Sequence, residues 1–194
     1  PEMLGVCRRP RGFPDIPWAT WKYPETEPWC MKGDAKLGSM ILYIISRCGS
    51  NRNFGRAMLC RLCYFSDFGS YELHGQSVSD SGYILANGGP EPAGLDNLLD
   101  DLSRRKLLRT SYHHGSMSYA TISLPDISLL TPRDIECIDG TIARYGGMSE
   151  RLLSWMSRED APCVGKHPSD ALDYSTVHGR CPRTSAKALQ GGEA

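Results

Sequence analysis

The sequence lacks an excess of charge of either sign: 22 Lys and Arg face 22 Asp and Glu, for a formal net charge of zero. A protein that coats nucleic acid or an anionic membrane draws its partner in through a net positive field, and that field is missing here. Long apolar runs are missing too. The strongest, Met40-Ile41-Leu42-Tyr43-Ile44-Ile45, is far short of the roughly 20 residues that cross a bilayer. Behind Arg8, Arg9 and Arg11 there is no apolar stretch of the kind a secretory leader carries. A cytoplasmic protein without membrane contact is therefore expected. Catalytic and cofactor fingerprints are absent as well, since no G-x-S-x-G, P-loop, dinucleotide fingerprint or H-E-x-x-H occurs.

Cysteine is not scarce. Eight are present, at 7, 30, 48, 60, 63, 137, 163 and 181, and in a reducing compartment most are expected to be thiols serving as small hydrophobes. Cys60-x-x-Cys63 puts two thiols on one helical face, but zinc takes four ligands and no second pair follows. His113-His114 falls at a hairpin turn without a third ligand or a neighbouring nucleophile. No metal, no cofactor and no enzymatic activity are expected.

Composition divides the chain into three parts. Residues 1–34 hold six of the thirteen prolines and three of the four tryptophans, a spacing that excludes helix and predicts an extended arm lying across the domain or docked on a partner. Residues 35–178 read as one helical domain, and 179–194 as a frayed tail. Within the domain, Leu37, Met40, Ile41, Ile44, Ile45 and Cys48 recur at helical spacing up to Gly49. Residues 54–73 are apolar on nearly every face, which marks a central buried helix.

Further on, Gly82 to Ala86 reads as extended, Gly88-Gly89-Pro90-Glu91-Pro92 as a rigid turn, and 92–106 as a helix burying Leu95, Leu98, Leu99 and Leu102. A hairpin is expected over 107–124. Thr131-Pro132-Arg133-Asp134 opens a helix with buried Ile135, Ile138 and Ile142, and Ser149 opens another burying Leu152, Leu153 and Met156. An extended piece is expected around Leu172. The fold class is mainly α: a single helical domain with a small β-hairpin, α+β, in which the hairpin also suits a winged-helix-like element.

Three stretches resemble the Panacea domain, the SocA-like antitoxin family of phage and bacterial toxin–antitoxin loci. Arg61-Leu62-Cys63-Tyr64-Phe65-Ser66-Asp67 is similar to that family's K-L-L-Y-F-A-D segment. His74 to Ser79, then Tyr83 and Gly89-Pro90, resemble its G-x-x-I-T, tyrosine and G-P-V-P sequence. Tyr145-Gly146 through Leu153 to Asp160 resembles its Y-G and L-S-x-x-S-H-x-E-x-x-W region, with Arg158 in place of His and Cys163 in place of Trp. Order and spacing agree over roughly residues 36–178.

The resemblance implies a binding protein that neutralises a co-encoded toxin by direct contact, or an adaptor that delivers the toxin to a protease. An inhibitor of this kind needs a few desolvated aromatic anchors and no catalytic pocket. The candidates are Trp18, Trp21 and Trp29 in the arm, with Tyr64, Tyr71, Tyr83, Pro90, Trp155 and Arg158 in or near the motifs. Asp67, inside the most apolar helix, is either a toxin-binding or catalytic acid or a structural acceptor that fixes the 74–94 loop.

The second reading is a winged-helix-like DNA-binding regulator, phage or mobile-element associated, in which Arg104, Arg105, Lys106 and Arg109 approach phosphates. It ranks below the first. Asp96, Asp100 and Asp101 on the same helix would meet phosphate repulsion, and the basic cluster already complements a helix C-terminus.

Overall fold

The computed structural model describes residues 29–49, 54–113 and 116–190. Helix α1 (Trp29–Cys48) starts directly after Pro28, six residues inside the stretch expected to be extended. Pro28 is the last proline before the apolar stripe, and beyond it nothing obstructs helix. Leu37, Met40, Ile41, Ile44 and Ile45 are buried along one side, and Gly49 ends the helix by donating its N–H to the Ile45 carbonyl.

Helix α2 (Arg56–His74) runs through the middle of the molecule, with Met58 through Ser70 all buried. It stops where Gly75 takes a left-handed conformation at φ +70°, which suits a residue without a Cβ. A cluster of rings surrounds it. Phe68 stacks on Tyr174 at 4.2 Å and meets Tyr83 edge-on at 5.4 Å, and Phe65 stacks on Tyr145 at 4.4 Å. Each such pair contributes about 0.5–1.5 kcal/mol beyond area burial.

Strands β1 (Tyr83–Ala86) and β2 (Gly89–Pro92) pair antiparallel, Tyr83 opposite Pro92 and Ala86 opposite Gly89. The Gly-Pro-rich segment expected to be a turn is therefore itself a strand. Proline cannot donate to a ladder, and β2 accommodates two because it lies at the sheet edge in the order β2-β1-β5. The third strand, β5 (Ala171–Leu172), adds to the other side of β1.

Helix α3 (Leu95–Arg104) begins after Gly94, three residues later than expected, and buries Leu95, Leu99 and Leu102. It leads into β3 (Leu108–His113) and β4 (Ser116–Thr121), which form the expected hairpin as a separate two-stranded sheet. Leu108 and Tyr119 are buried, whereas Tyr112, Met117 and Ile122 are exposed.

Helix α4 (Pro132–Tyr145) is capped as its sequence predicts: the Asp134 N–H donates to the Thr131 hydroxyl and the Thr131 N–H donates to the Asp134 carboxylate. Helix α5 (Glu150–Arg158) has Ser149 as its cap and buries Leu153 and Met156. Leu152 faces outward instead, 44% exposed.

After β5, a 3-10 helix (Tyr174–Gly179) and the short α6 (Lys187–Gln190) complete the described chain. The expected frayed tail is part of the fold over these residues. Arg144 of α4 donates to the carbonyls of Pro182, Arg183 and Ser185 at 2.7–3.1 Å. Cys48, Cys60, Cys63, Cys137, Cys163 and Cys181 are free thiols, and among the described residues no helix is long and apolar enough to cross a membrane.

Candidate partner-binding surface

Arg61, Tyr64, Asp67 and Glu72 of α2 are buried, and each ties down a different segment. Arg61 Nη1 donates to the Pro90 carbonyl in β2. The Tyr64 hydroxyl donates to Asp160 Oδ2 at 2.7 Å. Asp67 accepts three hydrogen bonds at 2.6 Å, from the Ser79 N–H, the Ser79 hydroxyl and the Tyr83 hydroxyl. Glu72 accepts from the Ser185 hydroxyl, from the Ala186 N–H at 2.8 Å and from Arg180 at 3.2 Å.

These bonds settle where several candidate residues lie. Asp67 is fully buried, and the loop and strand following α2 are fastened to its carboxylate. Burial pushes its pKa up to about 6 against the opposing pull of the Ser79 and Tyr83 hydrogen bonds. Tyr64, Tyr83 and Pro90, expected on the partner-binding surface, are buried. Their polar groups serve the interior: both phenols donate to buried carboxylates, and the Pro90 carbonyl faces Arg61. Tyr71 is half-buried against Tyr174, ring centroids 5.3 Å apart.

Arg180 carries no signal in the sequence, yet it is buried between two carboxylates. Its Nη2 lies 2.7 Å from Asp160 and its Nη1 3.2 Å from Glu72. Burial alone would lower the guanidinium's pKa, but Tyr64 and Asp160 around it raise it. Glu72 is held below the usual carboxylate range, the bonds from Ser185, Ala186 and Arg180 outweighing burial. Asp160 stands in a motif stretch, so its position could attract notice from sequence. Its partner Arg180, 20 residues on in an apparently irregular segment, could not.

What remains on the outside is the α5 face. Trp155 is 48% exposed, Arg158 is exposed, and Leu152 lies three residues before Trp155 on the same side. Arg183 lies over the Trp155 ring at 5.4 Å. This indole, with one face held by a guanidinium and part of its surface in water, has the character of an interface anchor. Trp18 and Trp21 lie outside the described residues, as does the side chain of Trp29.

The basic cluster is exposed and partly self-paired. Arg104 and Arg105 approach Asp101 of their own helix at 3.5 and 3.6 Å, Lys106 occupies a left-handed turn, and Arg109 is exposed on β3. Among the described residues, no three His, Cys, Asp or Glu side chains converge as a metal site. Cys60 and Cys63 are buried in α2, and burial pushes the Cys60 thiol up to about 11. Scanned against protein-family models the chain matches none, and neither curated proteins nor solved structures return a match.

Proposed function

We propose that this protein is a non-enzymatic binding module of the antitoxin type, which neutralises a partner toxin by covering it. The observation that carries the reading is the α5 face, where Trp155 and Leu152 stand half in water on a rigid, capped helix. Exposed large apolar side chains grouped on one element mark a contact surface more often than a chance arrangement. Arg158 at the end of the same face offers a charge for the rim of an interface. The motif resemblance supplies the class of partner, a co-encoded toxic protein, and leaves two routes: masking, or delivery to a protease.

The experiment is co-expression with the product of the neighbouring gene. Relief of growth arrest, with co-elution of the two purified proteins at fixed stoichiometry, supports masking. Relief that needs a protease and ATP supports the adaptor route. A neighbour that is harmless alone and never co-elutes counts against both.

One arrangement favours a second reading, a winged-helix-like DNA contact: α3 runs directly into the β3-β4 hairpin, with Arg104, Arg105 and Arg109 exposed. Exposed ion pairs within a helix are weak and would yield to phosphate. A mobility shift on the protein's own upstream DNA tests it. Retention that collapses with salt and ignores sequence would leave only nonspecific attraction.

A further inference from the structure

Helix α2 begins at Arg56 without a side-chain cap, because Gly55 before it has no side-chain oxygen to offer the first-turn N–H groups. A pocket of about 470 Å³ opens at this end, with Gly55, Arg56, Ala57, Cys60, Arg61 and Gly88 among its walls. An α-helix of this length presents roughly half a positive charge there.

The second feature of the pocket is Arg61. Arg61 is only 2% exposed, and among the described residues its Nε has no hydrogen-bond partner and its one acceptor is the Pro90 carbonyl. Among the described residues no carboxylate comes within ion-pair distance of it. Burial lowers its pKa below the ordinary arginine value and outweighs the opposing pull of Cys60, Glu91 and Cys163. The β1-β2 turn is shaped around the guanidinium: a Cβ on Gly89, whose φ is +122°, would sit 2.9 Å from Arg61 Nη2. A buried charge without a counter-charge is costly, whereas a paired one is tolerated.

The carboxylates close by form no direct ion pair with Arg61, although Glu91 acts on it through space. Glu91 and Asp96 both bond to Arg56, at 2.7 and 2.9 Å. Glu150 is exposed at the pocket wall.

We propose that this pocket is an anion site, in which Arg61 and the N-terminus of α2 hold the carboxylate of an acidic side chain from the partner protein. A carboxylate suits the flat guanidinium fork and carries a single charge. A phosphate would bring about twice that charge up to Glu91 and Glu150. Met117, exposed on the same wall, provides apolar surface for the residues flanking the acid. The source of the carboxylate rests on the partner-binding reading, but the pocket can be tested without any partner.

The test is an NMR titration of the full chain with N-acetyl-aspartyl amide and, separately, inorganic phosphate, each against sodium chloride at matched ionic strength. The expected result is saturable shifts at the Ala57, Met58 and Gly88 amides and at the Arg61 Nε–H, tighter for the carboxylate. Phosphate saturating the same signals first overturns the carboxylate assignment, and no saturable shift with either probe overturns the site.

Arg61→Met, which removes the unpaired charge, is expected to be blind to the probe; a full response from it overturns the role of Arg61. Should that variant not fold, Gly88→Asp serves. Its Cβ would lie 3.2 Å from Arg61 Nη2, so its own carboxylate is expected to occupy the guanidinium and abolish the probe response, and an undiminished response overturns the proposal. A blank titration would leave a contact through Trp155 standing, and a harmless neighbouring gene product would leave the titration standing.

Discussion

Arg180 Nη2 lies 2.7 Å from Asp160 Oδ2, and both side chains are essentially sealed from solvent. The Tyr64 hydroxyl shares the same carboxylate, and Glu72 takes the other arm of the guanidinium. One arginine beyond the last strand therefore joins α2, the end of α5 and the C-terminal segment.

Removing one partner of such a pair leaves a buried charge uncompensated, which costs about 3–5 kcal/mol. Arg180→Met is expected to lose stability on that scale, read from the urea midpoint. Arg183→Ala, on an exposed side chain three residues away, is expected to stay within about 1 kcal/mol of the parent. If both variants unfold at the parent's midpoint, the C-terminal segment contributes nothing to the fold.

Asp67 imposes a pH dependence opposite in sign to that of an ordinary paired carboxylate. Its folded pKa of about 6 lies above the unfolded value of 3.8, so the native state binds the extra proton between these limits. Its contribution is most favourable below pH 3.8 and is lost as pH rises through about 6, by an amount on the order of 3 kcal/mol. Glu72 and Asp134 run the other way, since both are held below the usual range and lose stability as pH falls. Asp67→Asn isolates the effect, because the other two groups cancel between variant and parent. The parent is expected to gain on the variant as urea titrations move from about pH 8 to about pH 5. A constant gap across that interval would mean that Asp67 does not titrate there.

The cap of α4 offers a smaller, local check. Thr131 and Asp134 exchange hydrogen bonds at 3.2 and 2.9 Å, and Thr131→Ala is expected to cost about 1 kcal/mol. Thermal unfolding of the single variant measures it, and an unchanged midpoint would show that the cap is dispensable.

These sites differ in how readily they could be seen in the sequence. Thr131, Pro132 and Asp134 carry a local code, as does the stripe from Leu37 to Ile45, and the helices follow it. Local codes failed where the deciding partner was distant. Pro90 and Pro92 read as a turn because only pairing with β1 makes them an edge strand. Arg180 read as tail because its partner Glu72 is 108 residues away. The candidate surface divided on the same principle: Tyr64 and Tyr83 are as aromatic as Trp155, but each has a buried carboxylate to bond and so belongs to the interior.

Trp155 is where stability and binding should separate. The residue is 48% exposed, and its Arg183 contact at 5.4 Å is a surface one, worth about 0.5–1 kcal/mol. Trp155→Ala is therefore expected to melt close to the parent. An anchor at the centre of an interface contributes 2 kcal/mol or more, so partner affinity should fall about 30-fold or further. Tyr64→Phe is the converse variant: it strips a donor from buried Asp160 and should destabilise the fold by about 1–3 kcal/mol, while leaving affinity intact wherever the protein is still folded. Affinity by calorimetry and stability by thermal melt, measured on both variants, separate the two effects. Should Trp155→Ala bind as the parent does, the α5 face is not the contact surface, and the search would move to the exposed Tyr112 and Met117 of the hairpin.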